Sequence, residues 1–511
     1  MTQHTTMTGS ALAPPWLSLP GDINRLDAKL WAQDVARDAS GELSAAGLKV
    51  PQLAAEYGTP LMVVSEADFR ARARSFKEAF DEAFADLCGG VDVYYAGKAF
   101  LCTEVARWVQ QEGLHLDTCT GGELAVAARA GLPGDLLGLH GNNKSDAEIH
   151  RALDMKVGRI IVDSLDELHR LDDIAAARGI TARVMLRLTP GVHASTHEFI
   201  ATAHEDQKFG LSLADDGGTT DEGGATDDGG ATSPAGRAVA AALAADSIEL
   251  LGVHCHIGSQ IFEPEGFAVA AERLLGFLAT IQAEHGSALP ELDLGGGYGI
   301  AYTEADTPRH PADIAQAMAA VVRDTCASLQ IKVPRISIEP GRAISGPAGF
   351  TLYSAGTTKT VQVDTIGIDV PADGAAAGLA NGQPEPADRT GSTGRRYISV
   401  DGGMSDNARP VLYDADYSAV LGRASSGEPV LSRVVGKHCE SGDIVVRDVY
   451  LPADTSSGDL LAVPGTGAYC WALASNYNYV PRPPVIAVAD GAARLIIRGE
   501  TEDDLLARDC G

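Results

Sequence analysis

Residues 91–98 read VDVYYAGK, a short apolar run closed by a glycine and a lysine. Seven more runs of similar texture follow: GLHLDTC (113–119), DLLGLHG (135–141), RIIVDS (159–164), ARVMLRLTP (182–190), LLGVHCHIG (250–258), ELDLGGG (291–297) and RISIEPG (335–341). Short apolar runs bounded by turn formers read as strands buried on both faces. Helical stretches separate them, and strands that alternate with helices specify a parallel sheet. Eight such units predict a closed (β/α)8 barrel, a fold of roughly 250 residues. Barrel enzymes carry their chemistry at the C-terminal ends of the strands. Here that rim holds Lys98, His256, the glycines at 295–297 and Glu339.

The segments between the strands agree. From Ala67 to Phe84 the phenylalanines fall at 69, 76, 80 and 84, one face of a helix turned to a core. GGELAVAARAG (121–131) and SLDELHRLDDIAAARG (164–179) each stop at a glycine, as helices do. Ser164 with Glu167 predicts a capping box at the start of the second.

Working outward, 511 residues exceed one barrel, so a second domain is expected. After Gly346 the texture becomes β-rich, with TKTVQV, RRYISVDGG, DIVVRDVYLP, LLAVPG and RLIIRGE separated by Gly and Pro turns. The fold class is therefore α/β plus β, a barrel followed by an all-β domain. LMVV (61–64) reads as a strand ahead of the barrel. Residues 1–25, rich in Thr, Ser and Pro, read as a flexible tail. Residues 214–236 are acidic, Gly-rich and of low complexity, and are expected as a disordered surface insertion; 371–394 read as a second insertion.

A net charge of −29 excludes a basic nucleic-acid footprint. The eight cysteines lack a C-x-x-C pair, which fits reduced thiols in a cytoplasm better than disulfides or a zinc site. MTQHTTMTGS lacks the basic and apolar regions of a signal peptide, and no unbroken apolar run is long enough for a bilayer, so no membrane partner is expected.

Lys98 ends the first strand, where a partly apolar mouth would lower its pKa and suit it to imine chemistry. The triple glycine lets backbone N–H groups approach an anion, near the strands where barrels place phosphates. Glu339 and Arg342 add a carboxylate fit for a pyridine nitrogen and a fork fit for a carboxylate or phosphate. His254 and His256 share one side of the sixth strand. As a metal pair they lack an evident carboxylate or cysteine to complete the set, so no metal is expected; His256 can stack on a flat cofactor, and Ser259 can donate to a phosphate. Together these parts describe a pyridoxal-phosphate site.

YAGKA, HCHIGSQ, GGGYG, EPGR, DGGMSDNARP, CESGD and GAY occur in this order. Across about residues 40–500 the chain thereby resembles the diaminopimelate decarboxylases, of the fold group of alanine racemase and eukaryotic ornithine decarboxylase. The resemblance implies a pyridoxal 5'-phosphate barrel over 66–347 and a β-domain formed by 26–65 with 348–511. It implies decarboxylation of meso-2,6-diaminopimelate to L-lysine, in a homodimer whose active sites are shared. Lys98 would bind the coenzyme as a Schiff base and His256 would stack on its ring. Ser259, Gly295, Gly296, Gly297, Gly341, Arg342 and Tyr469 would hold its phosphate, and Glu339 its pyridine nitrogen. Arg342, Arg409, Tyr413 and Tyr469 would bind substrate. The partner subunit would supply Cys439 as proton donor and Glu440 for the distal ammonium. A decarboxylase of ornithine, arginine or carboxynorspermidine is the nearest rival, but such substrates have no second carboxylate to meet Arg409.

Overall fold

The computed structural model describes residues 10–191, 208–214, 233–364 and 392–511. All eight anticipated strands form: Val91–Ala96, His115–Thr118, Leu137–Leu139, Arg159–Val162, Ala182–Thr189, Ile248–His254, Glu291–Asp293 and Arg335–Ile338. Each pairs in parallel with the next. Ile336 aligns with Val91, so the last strand returns to the first and the barrel closes. A two-residue strand, Leu211–Ser212, pairs beside the fifth.

The helices pack on this barrel for the reasons their spacing suggests. Glu66–Cys88 starts on Ser65, whose hydroxyl accepts from the Asp68 N–H, and stops at left-handed Gly89. It buries Phe69, Phe76, Phe80 and Phe84. Gly131 and Gly179 stop the next two predicted helices in the same left-handed conformation. The capping box at Ser164 does not form as expected. Ser164 Oγ does accept from the Glu167 N–H at 3.2 Å. The Glu167 carboxylate, however, takes the buried Lys144 ammonium at 2.7 Å and the Asp163 N–H at 3.0 Å. A buried amine needs a counter-charge more than a helix end needs a second cap. The reciprocal box stands at Ser145 and Glu148 instead.

Helix Glu265–His285 is long and apolar enough, by length and composition, to cross a membrane, which a search for an unbroken apolar run passes over. Its apolar face, including Phe267, Leu274, Leu275, Phe277 and Ile281, is buried in the core of the protein.

The second layer is a mixed sheet. Its long strand Gly349–Asp364 pairs with Ser392–Val400 and Leu460–Pro464. The strand Leu61–Ser65, from ahead of the barrel, sits between Gly349–Asp364 and Val485–Ala489. Residues 10–25 are not a free tail. Leu12 packs with Leu431 and Tyr450, the Ser10 N–H donates to the Tyr450 hydroxyl at 2.9 Å, and Asn24 Nδ2 donates to the Ser425 carbonyl. Residues 1–9 lie outside the described residues, as do most of both insertions. The first insertion is shorter than its composition suggests. Ser233 caps the helix Pro234–Ala244, and Ala235 and Gly236 are buried in its first turn. Residues 392–394, likewise, already belong to a sheet strand.

Candidate active site

Strand ends converge on a cavity of about 260 Å3 at the mouth of the barrel. Strand one delivers Lys98 through the single 3-10 turn Gly97–Ala99. Asp117, His140, Arg187, His254, His256 and Glu339 arrive from strands two, three, five, six and eight. Lys98 itself is exposed at the cavity edge, not sunk in an apolar mouth as its position suggested. Lys208 and Phe209 also line the wall. Arg187 stacks 4.3 Å over the Phe209 ring, and Thr189 Oγ1 donates to the Phe209 carbonyl.

The floor is ionisable and buried. His254 Nε2 lies 3.0 Å from Glu339 Oε1, and His140 Nε2 lies 3.3 Å from the same oxygen and 3.1 Å from Asp117 Oδ1. Close as they are, none of these four atoms is aligned for a hydrogen bond, and all are buried. Burial, then Asp117, raises the Glu339 pKa. Burial pushes Asp117 up to about 7 and His140 down to about 4. His254 and His256 are also held far below the usual imidazole range, again mainly by burial. A carboxylate therefore does stand beside His254, contrary to the sequence reading, and strand eight supplies it.

Beneath the floor, Arg159 carries the counter-charge. It pairs with Asp293, donates from Nη1 to Ser337 Oγ at 2.7 Å, and lies 3.5 Å over the Tyr94 ring. Removing one member of a buried ionic group leaves the others uncompensated. We expect Arg159→Met to destabilise the chain by about 3–5 kcal/mol in denaturant titration. A loss under about 1 kcal/mol would mean water reaches the floor and solvates these acids.

The glycines 295–297 are required by close backbone approach. A Cβ on Gly296 would lie 2.1 Å from the Glu339 carbonyl oxygen. At Gly295 and Gly297, where φ is +69° and +110°, it would meet carbonyl oxygens of the sixth strand's end at 2.2 and 2.4 Å. The Gly296 N–H donates to His256 Nδ1 at 3.3 Å, which leaves Nε2 to carry the hydrogen of the neutral ring. Gly341 also passes close to the first strand, where a Cβ would lie 2.9 Å from the Ala96 Cβ.

Beside the barrel mouth the two domains bring a second set together. Arg342, buried, donates to Ser259 Oγ at 2.8 Å and to the Tyr302 hydroxyl at 2.5 Å, and stacks 4.5 Å over the Tyr469 ring. Arg409, also buried, stacks 4.5 Å over Tyr302 and donates to the Tyr417 hydroxyl at 2.8 Å. Among the described residues no carboxylate lies within ion-pair distance of either guanidinium. Arg409 bonds Tyr417 rather than Tyr413, which is half-buried at the end of the short helix Arg409–Tyr413. Cys439 and Glu440 are exposed on the loop between strands Pro429–Val435 and Ile444–Pro452, and neither lines the cavity.

Sequence reasoning missed Asp117, His140, Arg159, Arg187, Tyr302 and Tyr417. The first four lie in quoted strand runs, so their positions were visible. The two tyrosines carry no local signal; only folding brings them to the arginines.

A parallel barrel with a lysine, a buried carboxylate and two histidines on its C-terminal rim, joined to a sheet domain, defines a pyridoxal-dependent decarboxylase. Residues 66–346 match the family of pyridoxal-dependent decarboxylases in its pyridoxal binding domain, and 383–467 match the C-terminal sheet domain. The chain is 46% identical over 510 residues to the diaminopimelate decarboxylase of Mycobacterium leprae, covering 99% of this chain and 98% of that one. It is 46% identical to that of Corynebacterium efficiens, covering 96% and 97%. The solved diaminopimelate decarboxylase of M. jannaschii superposes with a TM-score of 0.79 at 27% identity, covering 94% and 98%. The Helicobacter pylori enzyme complexed with L-lysine gives 0.72 at 26%, covering 89% and 98%. The chain belongs to the diaminopimelate decarboxylase family.

The residues present fit pyridoxal phosphate. The Glu339 carboxylate is buried and lacks a hydrogen bond at Oε1, as a partner for a ring nitrogen should before the ring arrives. The glycine turn does not line the cavity: the Gly295 N–H donates to Asp293 Oδ1 at 2.7 Å and the Gly296 N–H to His256 Nδ1, so the turn braces the imidazole beside the site. Lys98 lines the same cavity.

Proposed function

We propose that this chain decarboxylates meso-2,6-diaminopimelate to L-lysine and CO2, the last step of lysine biosynthesis, in the cytoplasm. The observation that carries the substrate assignment is the pair of buried guanidiniums, Arg342 and Arg409, meeting at Tyr302 without a carboxylate. Buried cations are costly unless paired. A substrate with a second carboxylate supplies the missing anion; ornithine and arginine do not.

In the reaction the bond to one carboxylate breaks, CO2 leaves, the bonding pair stays on carbon, and that carbon takes up one proton. Pyridoxal phosphate, when held through Lys98, would supply the electron sink for that pair. Glu339 would hold the charge of the ring nitrogen, from a buried position where a charge acts more strongly than in bulk water. His256, fixed by the Gly296 N–H, would wall the ring. Ser259, Tyr469, Gly341 and the glycine turn would hold the phosphate, with Arg342 orienting Ser259 and Tyr469. Arg409 and Arg342, set by Tyr302 and Tyr417, would position the retained carboxylate, with Tyr413 at the margin of that site.

The proton donor and the group for the distal ammonium would come from a second copy. Cys439 and Glu440 are exposed, and Gly442 on the same loop approaches Val411, which is exposed with its neighbour Leu412. Such an apolar surface suits the interface of a homodimer with shared sites.

The test is CO2 release from meso-diaminopimelate, ornithine and arginine at equal concentration. Turnover is expected with the first alone. Comparable turnover of ornithine would return the substrate assignment to the diamine precursors.

A further inference from the structure

The floor of the cavity offers a second chemistry. One ligand atom each from His140, His254 and Glu339 lies within 4.8 Å of the other two. Two of the three separations, 3.0 and 3.3 Å, match the edge of a tetrahedron of nitrogen and oxygen ligands around zinc, about 3.3 Å for bonds of 2.0–2.1 Å. The third, between the two imidazoles, is within 4.8 Å, and His140 is the least buried of the trio. Buried polar atoms without hydrogen bonds are costly, and His140 Nε2, His254 Nε2 and Glu339 Oε1 are all such atoms. A single ion would satisfy them at once.

Charge favours this too. Arg159 is engaged chiefly by Asp293 and stands 4.0 Å from Asp117; Arg187 stands 3.9 Å from Asp163. The Glu339 carboxylate thus faces two imidazoles, with Asp117 flanking His140 and no cation in ion-pair contact with Glu339 among the described residues. Two imidazoles and one carboxylate suit zinc and its neighbours rather than calcium or magnesium, which favour oxygen ligands. His254 ends the sixth strand and His140 and Glu339 directly follow the third and eighth, and the cavity lies on the open side, where water would take the fourth position.

We infer that the chain, when not loaded with its coenzyme, binds one divalent transition-metal ion at His140, His254 and Glu339, and that this ion and pyridoxal phosphate exclude each other. Exclusion follows because Glu339 Oε1 would serve both. Ion binding stands on these side chains alone; the exclusion rests on the coenzyme assignment.

The test strips the full-length chain of coenzyme, then titrates it with Zn2+, and with Co2+ as a coloured probe. One ion per chain is expected in the stripped protein and none in the loaded protein. The Co2+ spectrum should be that of a four-coordinate nitrogen and oxygen site without a thiolate charge-transfer band. Prior loading with Zn2+ should slow recovery of the lysine-bound coenzyme absorption at least roughly tenfold, and chelation should restore it. His140→Asn and His254→Asn, each checked for folding by circular dichroism, should weaken Zn2+ binding by about tenfold or more. Equal binding by loaded and stripped chains, a thiolate band, or unchanged affinity in both folded variants would overturn the inference. None of these readouts depends on which amino acid the loaded enzyme decarboxylates.

Discussion

Lys98→Ala should release CO2 from meso-diaminopimelate roughly four orders of magnitude more slowly, and should lose the absorption of lysine-bound coenzyme. Two lysines line the cavity wall, so the assignment has a real competitor. Lys98 follows the first barrel strand on the turn Gly97–Ala99 and stands at the cavity edge. Lys208 instead lies with Nζ 4.8 Å over Phe209, a cation resting on a ring. A retained absorption band would move the tether to Lys208. The same variant tests the shared site. Cys439→Ala is also expected to be slow, with coenzyme still bound. If each active site takes Lys98 from one subunit and Cys439 from the other, mixing the two variants regenerates one intact site in half the dimers. Activity should then recover to about a quarter of the unmodified enzyme. No recovery, with exchange of subunits demonstrated, would place Cys439 outside the partner's site.

Arg409→Leu should lower kcat/KM for meso-diaminopimelate by about 10²–10³, the effect of removing one side of a buried charged contact. Its effect on stability should run the other way. The guanidinium is buried over Tyr302 with no carboxylate of its own, so an apolar replacement relieves a desolvated charge. Thermal stability should stay level or rise while turnover falls. Arg409→Lys should rescue little, because an ammonium cannot reproduce the planar fork that stacks on Tyr302 and reaches Tyr417. A variant that loses stability with kcat/KM intact would make Arg409 a structural residue only.

Much of this architecture is legible along the chain because its causes are local. Apolar runs of strand length, helices with a 3.6-residue face, and glycines where a helix needs a left-handed stop are short-range demands. The helix Glu66–Cys88 shows it, with four phenylalanines on one face and Gly89 at its end. Lys98, His256 and Glu339 were legible for a related reason: a parallel barrel puts the C-terminal ends of all its strands on one rim. The errors came where a distant partner outcompeted a local one. Glu167 leaves its capping box for Lys144, and residues that read as a tail fold onto Leu431 and Tyr450.

By itself, then, the order of residues determined the eight-fold alternation, the helix stops, and which strand ends bear reactive groups, since each is encoded within a few neighbours. Only the tertiary structure decided that Leu61–Ser65 joins a sheet completed more than four hundred residues later, and that Tyr302 stands between two arginines. It also decided that Glu339 meets His140 and His254. Those meetings depend on how the closed barrel and the sheet dock, and packing of that kind leaves no period in the sequence to read.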